Sequence, residues 1–150
     1  MEYLSTRNDK ISEKFEHIFI KGLSDDGGLF LPKQIKKFSD KEFLNLRNLS
    51  YVDLATEIIS RFTGDFCSNE KLHQIVKKSY STFNEHNVVK IKKVEDLHVL
   101  ELFHGPTLAF KDVAMQLIGN FYEYYLSKNT KKINIVVATS GDTGAAAIDA

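Results

Sequence analysis

The sequence predicts an α/β protein: a mostly helical N-terminal part, then the start of a parallel sheet. Three observations carry this prediction. Between Ser39 and Phe83, apolar residues recur at helical spacing in three segments, each opened by a serine. From Val88 to Ala138 the pattern turns to strand, helix and strand, the unit of a parallel sheet with a right-handed crossover. A polar glycine turn then opens an alanine-rich helix.

The elements follow in order. Tyr3 to Arg7 reads as a short extended segment. Ser12 caps a helix running to Lys21, with Phe15, Ile18 and Phe19 as its apolar face and Gly22 as its stop. Ser24-Asp25-Asp26-Gly27-Gly28 is a turn, and Leu29 to Leu31 is a strand ended by Pro32. Ser39 with Glu42 has the pattern of a capping box, with Phe43 and Leu46 as core positions. Ser50 with Asp53 opens a helix whose face is Leu54, Ile58, Ile59 and Phe62, and Gly64 ends it. Ser68 opens another, with Leu72, Ile75, Val76 and Tyr80 pointing inward. Polar Asn84 to Asn87 separates an N-terminal domain, residues 1–84, from the first, incomplete part of an α/β domain, residues 88–150.

Val88 to Val94 alternates apolar residues with lysine, as in a half-exposed strand, and Glu95-Asp96 turns the chain. Leu97 to Phe103 is more continuously apolar, the pattern of a strand buried on both faces. Gly105-Pro106 breaks it, and Thr107 caps a helix. The stripe of that helix is Phe110, Val113, Ala114, Leu117, Ile118, Phe121 and Tyr125. Ile133 to Ala138 is the third strand, and the helix after it begins past Gly144.

Composition narrows the function classes. The 150 residues are 43% apolar and 27% charged with zero net charge, so nothing points to nucleic acid or an anionic membrane. A single cysteine, Cys67, excludes a disulfide within the chain and a thiolate metal cluster. His73 and His86 lack companions at metal-ligand spacing and read as surface residues, so no metal is expected. The N-terminus lacks the order of a signal peptide and no apolar run reaches membrane-spanning length, which makes the cytoplasm the expected location.

Two stretches carry chemistry. Lys111 falls in the first turn of the helix after Gly105-Pro106, beside the positive end of its dipole. That setting favours a neutral, nucleophilic amine; the alternative is a solvated lysine. Thr139-Ser140-Gly141-Asp142-Thr143-Gly144 gathers free N–H groups and hydroxyls at a helix start, a place for an anion at the carboxyl edge of a sheet. It is not a nucleotide P-loop, because no lysine follows and the glycine spacing is too short. The alternative here is a tight turn with a polar cap. Arg7 is open to two readings as well, a solvated terminus or an anion contact.

Taken together, these stretches resemble the threonine synthase family, within the fold-type-II pyridoxal-phosphate enzymes. The resemblance rests on Glu-Leu-Phe-His-Gly-Pro-Thr-Leu-Ala-Phe-Lys-Asp (101–112) and Ala-Thr-Ser-Gly-Asp-Thr-Gly-Ala-Ala (138–146). Two N-terminal marks join them: Tyr3 with Ser5-Thr6-Arg7, and Asp-Gly-Gly-Leu-Phe-Leu-Pro (26–32). It implies that Lys111 holds pyridoxal 5'-phosphate as a Schiff base and serves as the base for the substrate's Cα proton. It implies that O-phospho-L-homoserine and water become L-threonine and phosphate. Ser140, Gly141, Thr143 and Gly144 would grip the substrate carboxylate; His104 and Thr107 would meet polar atoms of the substrate or the cofactor, and Arg7 would serve the substrate phosphate if the N-terminus folds back. Family members often carry Asn, a donor to the cofactor's ring oxygen, where this chain has Asp142; an ionised Asp cannot donate, so as a cofactor-binding residue Asp142 would be protonated, or else it points elsewhere, a variation within the family. The glycine-rich loop for the cofactor phosphate lies beyond Ala150, so the resemblance also implies an N-terminal fragment, inactive alone. Two competing functions stay open: a related phospholyase releasing 2-oxobutyrate, and a non-catalytic anion-binding α/β module.

Overall fold

The computed structural model describes residues 1–130 and 132–150. The chain forms two compact units, Met1–His73 and Gln74–Ala150, and the division falls inside one helix.

The first unit is built on a three-stranded antiparallel sheet in the order β2-β1-β3, from β1 (Glu2–Ser5), β2 (Ser12–Lys14) and β3 (Phe30–Pro32). Tyr3 of the central strand lies opposite Glu13 on one side and Pro32 on the other. Proline has no N–H to give a ladder, so its strand can sit only at the edge, where β3 is. Tyr3 is buried and its hydroxyl donates to the Phe62 carbonyl at 2.7 Å. Around it the rings of Phe15, Phe19 and Phe66 pack edge-on and stacked, with centroids 5.4–6.2 Å apart. Such pairs add to the burial of their area.

Four helices accompany this sheet: α1 (Phe15–Lys21), α2 (Asp40–Leu46), α3 (Tyr51–Thr63) and α4 (Asn69–Tyr80), the last running on into the second unit. The start of α2 is the capping box read from the sequence. Ser39 Oγ accepts the Glu42 N–H, and Glu42 Oε2 accepts the Ser39 N–H at 2.8 Å. Ser50 caps α3 through the Asp53 N–H, and Ser68 Oγ accepts from the Lys71 N–H at the start of α4. Gly22 and Gly64 close α1 and α3 with φ of +77° and +59°. The inward positions assigned to α4, Leu72, Ile75, Val76 and Tyr80, are all buried.

Some expectations for this unit change. Ser12 does not cap α1: it pairs with Leu4 in the sheet, and α1 starts at Phe15 with Lys14 before it. A ladder partner from β1 outcompetes the local cap. Phe43 is exposed, because α2 spans only seven residues and turns Leu46 inward instead. Ile58 is also 39% exposed. His73 pairs with Asp53 at 3.0 Å.

The second unit contains the rest of α4, a hairpin of β4 (Lys90–Val94) and β5 (Leu97–Glu101), and the helices α5 (Asp112–Ser127) and α6 (Gly141–Asp149). Its core gathers Ile75, Val76, Tyr80, Val88, Phe121, Tyr125 and Ala146. The hairpin turns at Glu95-Asp96 as predicted, with Glu95 in the left-handed region (φ 53°). Helix α6 docks on α5 at Gly119, whose Cα sits so close to Ala150 that an added Cβ would lie 2.6 Å from the Ala150 oxygen. Gln116 Nε2 donates to Asp149 Oδ2 at 2.7 Å across the same contact.

Here too the structure corrects the sequence. Leu97–Leu100 are exposed, not buried on both faces, because β5 pairs with β4 alone and antiparallel among the described residues. Ile133–Ala138 joins no ladder with the described residues, so it is not a strand: apolar composition supplies propensity, and a strand also needs a neighbour. Helix α6 begins at Gly141 rather than past Gly144. Helix α5 begins at Asp112, so Phe110 lies outside it and is exposed, as is Ala114 on its solvent side.

Candidate active site

The segment from Glu101 to Asp112 leaves β5 and enters α5 through a tight, polar loop. Glu101 is the one buried residue of its strand. It accepts Lys92 Nζ at 2.8 Å on one oxygen and faces His104 Nε2 at 3.0 Å on the other. The Lys92 hydrogen bond, against the cost of desolvation and helped by His104, holds the Glu101 carboxyl below its usual range. His104 is mostly covered, its ring against Phe103 at 4.8 Å, and its carbonyl accepts the Asn84 N–H at 2.9 Å.

Thr107 does not cap the helix. Its N–H and its hydroxyl both donate to the Asp112 carboxylate, at 2.9 and 2.6 Å. The cap direction is reversed: the first helical residue reaches back to the loop. Asp112 is fully buried. Gly105 lies against it so closely that a Cβ would come within 2.4–2.8 Å of three Asp112 atoms, so no other residue fits there. Leu108 adopts φ +63°, a left-handed conformation costly for a branched side chain.

Lys111 is the residue just before α5 rather than part of its first turn. Its carbonyl accepts the N–H groups of Ala114 and Met115 at 3.0 and 2.9 Å, which fixes its backbone to the helix. Its Nζ forms no hydrogen bond or ion pair with the described residues and lies 4.7 Å from the centre of the Phe110 ring. A partly covered primary amine without a carboxylate partner fits the demand of an aldehyde cofactor for a reactive lysine.

At α6, Ser140 occupies the cap position with no side-chain hydrogen bond to the helix. Gly141, Asp142, Thr143 and Gly144 form the first turn, and the Gly144 N–H returns to the Ser140 carbonyl at 3.0 Å. Gly141 and Asp142 are exposed, and a Cβ on Gly141 would meet nothing within 4 Å. The leading N–H groups of this turn have no intrahelical acceptor, which suits a carboxylate.

Arg7 belongs to the first unit. Its guanidinium donates to the Asp26 carbonyl at 3.1 Å and covers Gly27. Ser5 Oγ donates to Asp26 at 2.8 Å, and Gly28 N–H donates to Asp26 at 2.9 Å. The Gly28 N–H foremost, then the Ser5 hydroxyl, keep the Asp26 carboxyl below its usual range against desolvation. The two N-terminal sequence marks are therefore one interlocked structure. Sequence reasoning missed this, and it also missed Glu101 and Asp112 as partners of the loop. The signal available for Asp112 was an acidic residue directly after the lysine.

The structure so far shows, on an α/β framework, a lysine at a strand-to-helix junction whose amine has no hydrogen bond or ion pair among the described residues, and an open helix start. That defines an α/β protein with a candidate attachment lysine and a candidate anion-binding turn. The chain belongs to the threonine synthase family: the family described as Threonine synthase N terminus matches residues 2–80. Threonine synthase from Eremothecium gossypii is 42% identical across 97% of this chain and 32% of its own length. Threonine synthase-like 2 from Xenopus laevis is 36% identical across 99% of this chain. The crystal structure of PLP-bound threonine synthase from Brucella melitensis superposes with a TM-score of 0.94 at 41% identity, covering 99% of this chain and 32% of that one. The chain thus spans about a third of the length of the relatives it matches. None of the described helices is long and apolar enough to cross a membrane.

Proposed function

We propose that the full-length protein converts O-phospho-L-homoserine and water to L-threonine and phosphate, with pyridoxal 5'-phosphate carried on Lys111, in the cytoplasm. One observation carries this reading: in a chain of this family, Lys111 Nζ has no hydrogen bond or ion pair among the described residues, and its backbone is pinned at the start of α5. When bound, the cofactor would supply an electron sink for charge developing at the substrate Cα. The chain's own residues do the rest. Lys111 Nζ would take the proton from Cα and then one from Cβ as the Cγ–O bond breaks and phosphate leaves; it would return one proton to Cγ and one to Cα, while water adds its hydroxyl at Cβ and its remaining proton goes to the released phosphate. Ser140, Gly141, Thr143 and Gly144 hold the substrate carboxylate on the open start of α6. His104 and Thr107, on the loop before Lys111, would meet polar atoms of the substrate or the cofactor, and Asp142, in the first turn of α6, would lie toward the cofactor.

The test uses the full-length protein with pyridoxal 5'-phosphate. Borohydride reduction followed by peptide mapping should place the label on Lys111. Lys111→Ala should abolish both the label and threonine formation. A label on a different lysine removes Lys111 from this role. Release of 2-oxobutyrate and ammonia in place of threonine replaces the synthase reading with that of a phospholyase.

A further inference from the structure

The loop ahead of Lys111 is held by a carboxylate that the proposed reaction does not use. Asp112 is fully buried, and both of its oxygens are taken by Thr107, one by the N–H and one by the hydroxyl. No ion pair to it occurs among the described residues. Burying a carboxylate is unfavourable unless strong hydrogen bonds and a helix start offset it, and both are present. Gly105 leaves no room for any movement of Asp112 toward it. The Leu108 N–H closes on the Gly105 carbonyl at 3.2 Å, the Asp112 N–H on the Ala109 carbonyl at 3.0 Å, and Leu108 is kept in its disfavoured left-handed conformation. Strain of this kind persists only where surrounding contacts over-determine it. On the far side of Lys111, two helix N–H groups hold its carbonyl. The lysine's Cα is therefore fixed from both directions, while its amine makes no hydrogen bond or ion pair among the described residues.

We propose that Asp112 is a positioning residue for Lys111: by locking the turn from Gly105 to Leu108 onto the start of α5, its carboxylate fixes the direction in which the lysine side chain leaves the backbone. This rests on the reading that Lys111 carries the cofactor. A lysine that must hold a carbonyl carbon and then move protons between adjacent carbons depends on placement more than on flexibility. Misplacement of about 1 Å costs on the order of a hundredfold in rate. An ordinary helix-start aspartate would point its carboxylate at its own helix; this one spends both oxygens on the loop.

The experiment compares full-length wild type with Asp112→Asn, Thr107→Val and Thr107→Ser. Three quantities are read: the rate at which added pyridoxal 5'-phosphate becomes reductively trappable on Lys111, the split between kcat and KM, and hydrogen exchange of the Thr107 amide. Asp112→Asn keeps the shape but turns one acceptor into a donor facing another donor. It should slow attachment and lower kcat on the order of tenfold to a hundredfold, leave KM nearly unchanged, and speed Thr107 exchange. Thr107→Val removes only the hydroxyl and should give a smaller loss of the same kind; Thr107→Ser, which keeps the hydroxyl, should recover attachment and Thr107 amide protection relative to Thr107→Val. Wild-type attachment and kcat in Asp112→Asn, even with a lowered melting temperature, would make Asp112 a structural residue only and overturn the proposal. If Asp112→Asn does not fold, Thr107→Val decides, and unchanged attachment in that variant overturns it equally. Absence of any label on Lys111 in the wild type would overturn the cofactor reading and this inference with it, whereas a wild-type label with unaffected variants overturns this inference alone.

Discussion

Glu101 and His104 sit three residues apart and face each other at 3.0 Å, with the Glu101 side chain 9% exposed at the end of an otherwise solvent-facing strand. The pair anchors the beginning of the loop that ends at Lys111. The sign of its pH dependence follows from the direction of the shift. Glu101 has a carboxyl held below its ordinary value of 4.5, first by the Lys92 hydrogen bond. The folded state therefore prefers the ionised form. Its contribution is complete above pH 4.5 and disappears as pH falls through the lowered folded value. Glu101→Gln should thus lose stability relative to wild type at neutral pH, and the two proteins should converge as the solution is acidified. Urea denaturation at a series of pH values below 6 measures this. Parallel acid limbs for the two proteins would show that the carboxylate does not prefer its ionised form in the fold.

The Asp26 turn yields a prediction that separates two roles of glycine. Gly22 has φ +77° and empty space around it, so Gly22→Ala meets only backbone strain. That strain is about 1 kcal/mol, part of it offset by a less flexible unfolded chain. Gly28 has no such strain, but a Cβ there would lie 2.3 Å from Ser5 Oγ, the hydroxyl that holds Asp26. Gly28→Ala must push Ser5 away and should cost about 2 kcal/mol or more, the larger effect of the two. Chemical denaturation of both variants ranks them, and the reverse order would mean that the Ser5–Asp26 contact yields easily.

The start of α2 gives a third. Ser39 provides both the acceptor for the Glu42 N–H and the N–H for the Glu42 carboxylate, and that backbone donor is the first cause of a Glu42 carboxyl lowered to about 2. Ser39→Ala removes the hydroxyl but leaves the backbone N–H. It should destabilise the protein by about 1 kcal/mol, the usual loss for a cap. It should leave Glu42 ionised well below the ordinary carboxylate value, since the larger cause survives. Carboxyl titration by NMR in wild type and variant checks the second statement, and a return of Glu42 to its ordinary value would contradict it.

What was legible in the sequence was local. Ser39 with Glu42, Ser50 with Asp53 and the glycines after α1 and α3 act over three or four residues, so spacing alone placed them. The inward face of α4 was legible because Leu72, Ile75, Val76 and Tyr80 repeat at helical spacing. Lys111 stood out because a strand, a glycine-proline break and an amphipathic stripe converge on it. Contacts that join distant residues were not legible: Ser5 meets Asp26 across 21 positions, and composition gives no sign of it. Thr107 misled, and Asp112 went unnoticed, for another reason. Each has the chemistry of a helix start, and which of the two caps and which is held depends on where the backbone turns at Leu108, a left-handed residue that no leucine advertises. The apolar runs in β5 and Ile133–Ala138 read as buried strands because hydrophobic composition states what a segment can bury, not what covers it.

The contact between α5 and α6 supplies the last prediction. Gly119 lies in the middle of α5, where replacing glycine by alanine ordinarily stabilises a helix by about 1 kcal/mol. At this position the new Cβ would stand 2.6 Å from the Ala150 oxygen and 3.0 Å from its carbonyl carbon. These atoms belong to the residue that ends α6, so making room displaces that end of the helix against α5. Such overpacking costs about 1–3 kcal/mol, enough to cancel the gain in propensity and reverse its sign. The Gln116–Asp149 hydrogen bond bridges the same contact and would lengthen with it. Because α6 begins with the turn proposed to hold the substrate carboxylate, the shift should reach function as well. Gly119→Ala in the full-length protein should lower the denaturation midpoint and raise KM for O-phospho-L-homoserine more than it lowers kcat. A variant more stable than wild type would show that α6 does not press on α5 at Gly119, and an unchanged KM alongside reduced stability would detach the start of α6 from substrate binding.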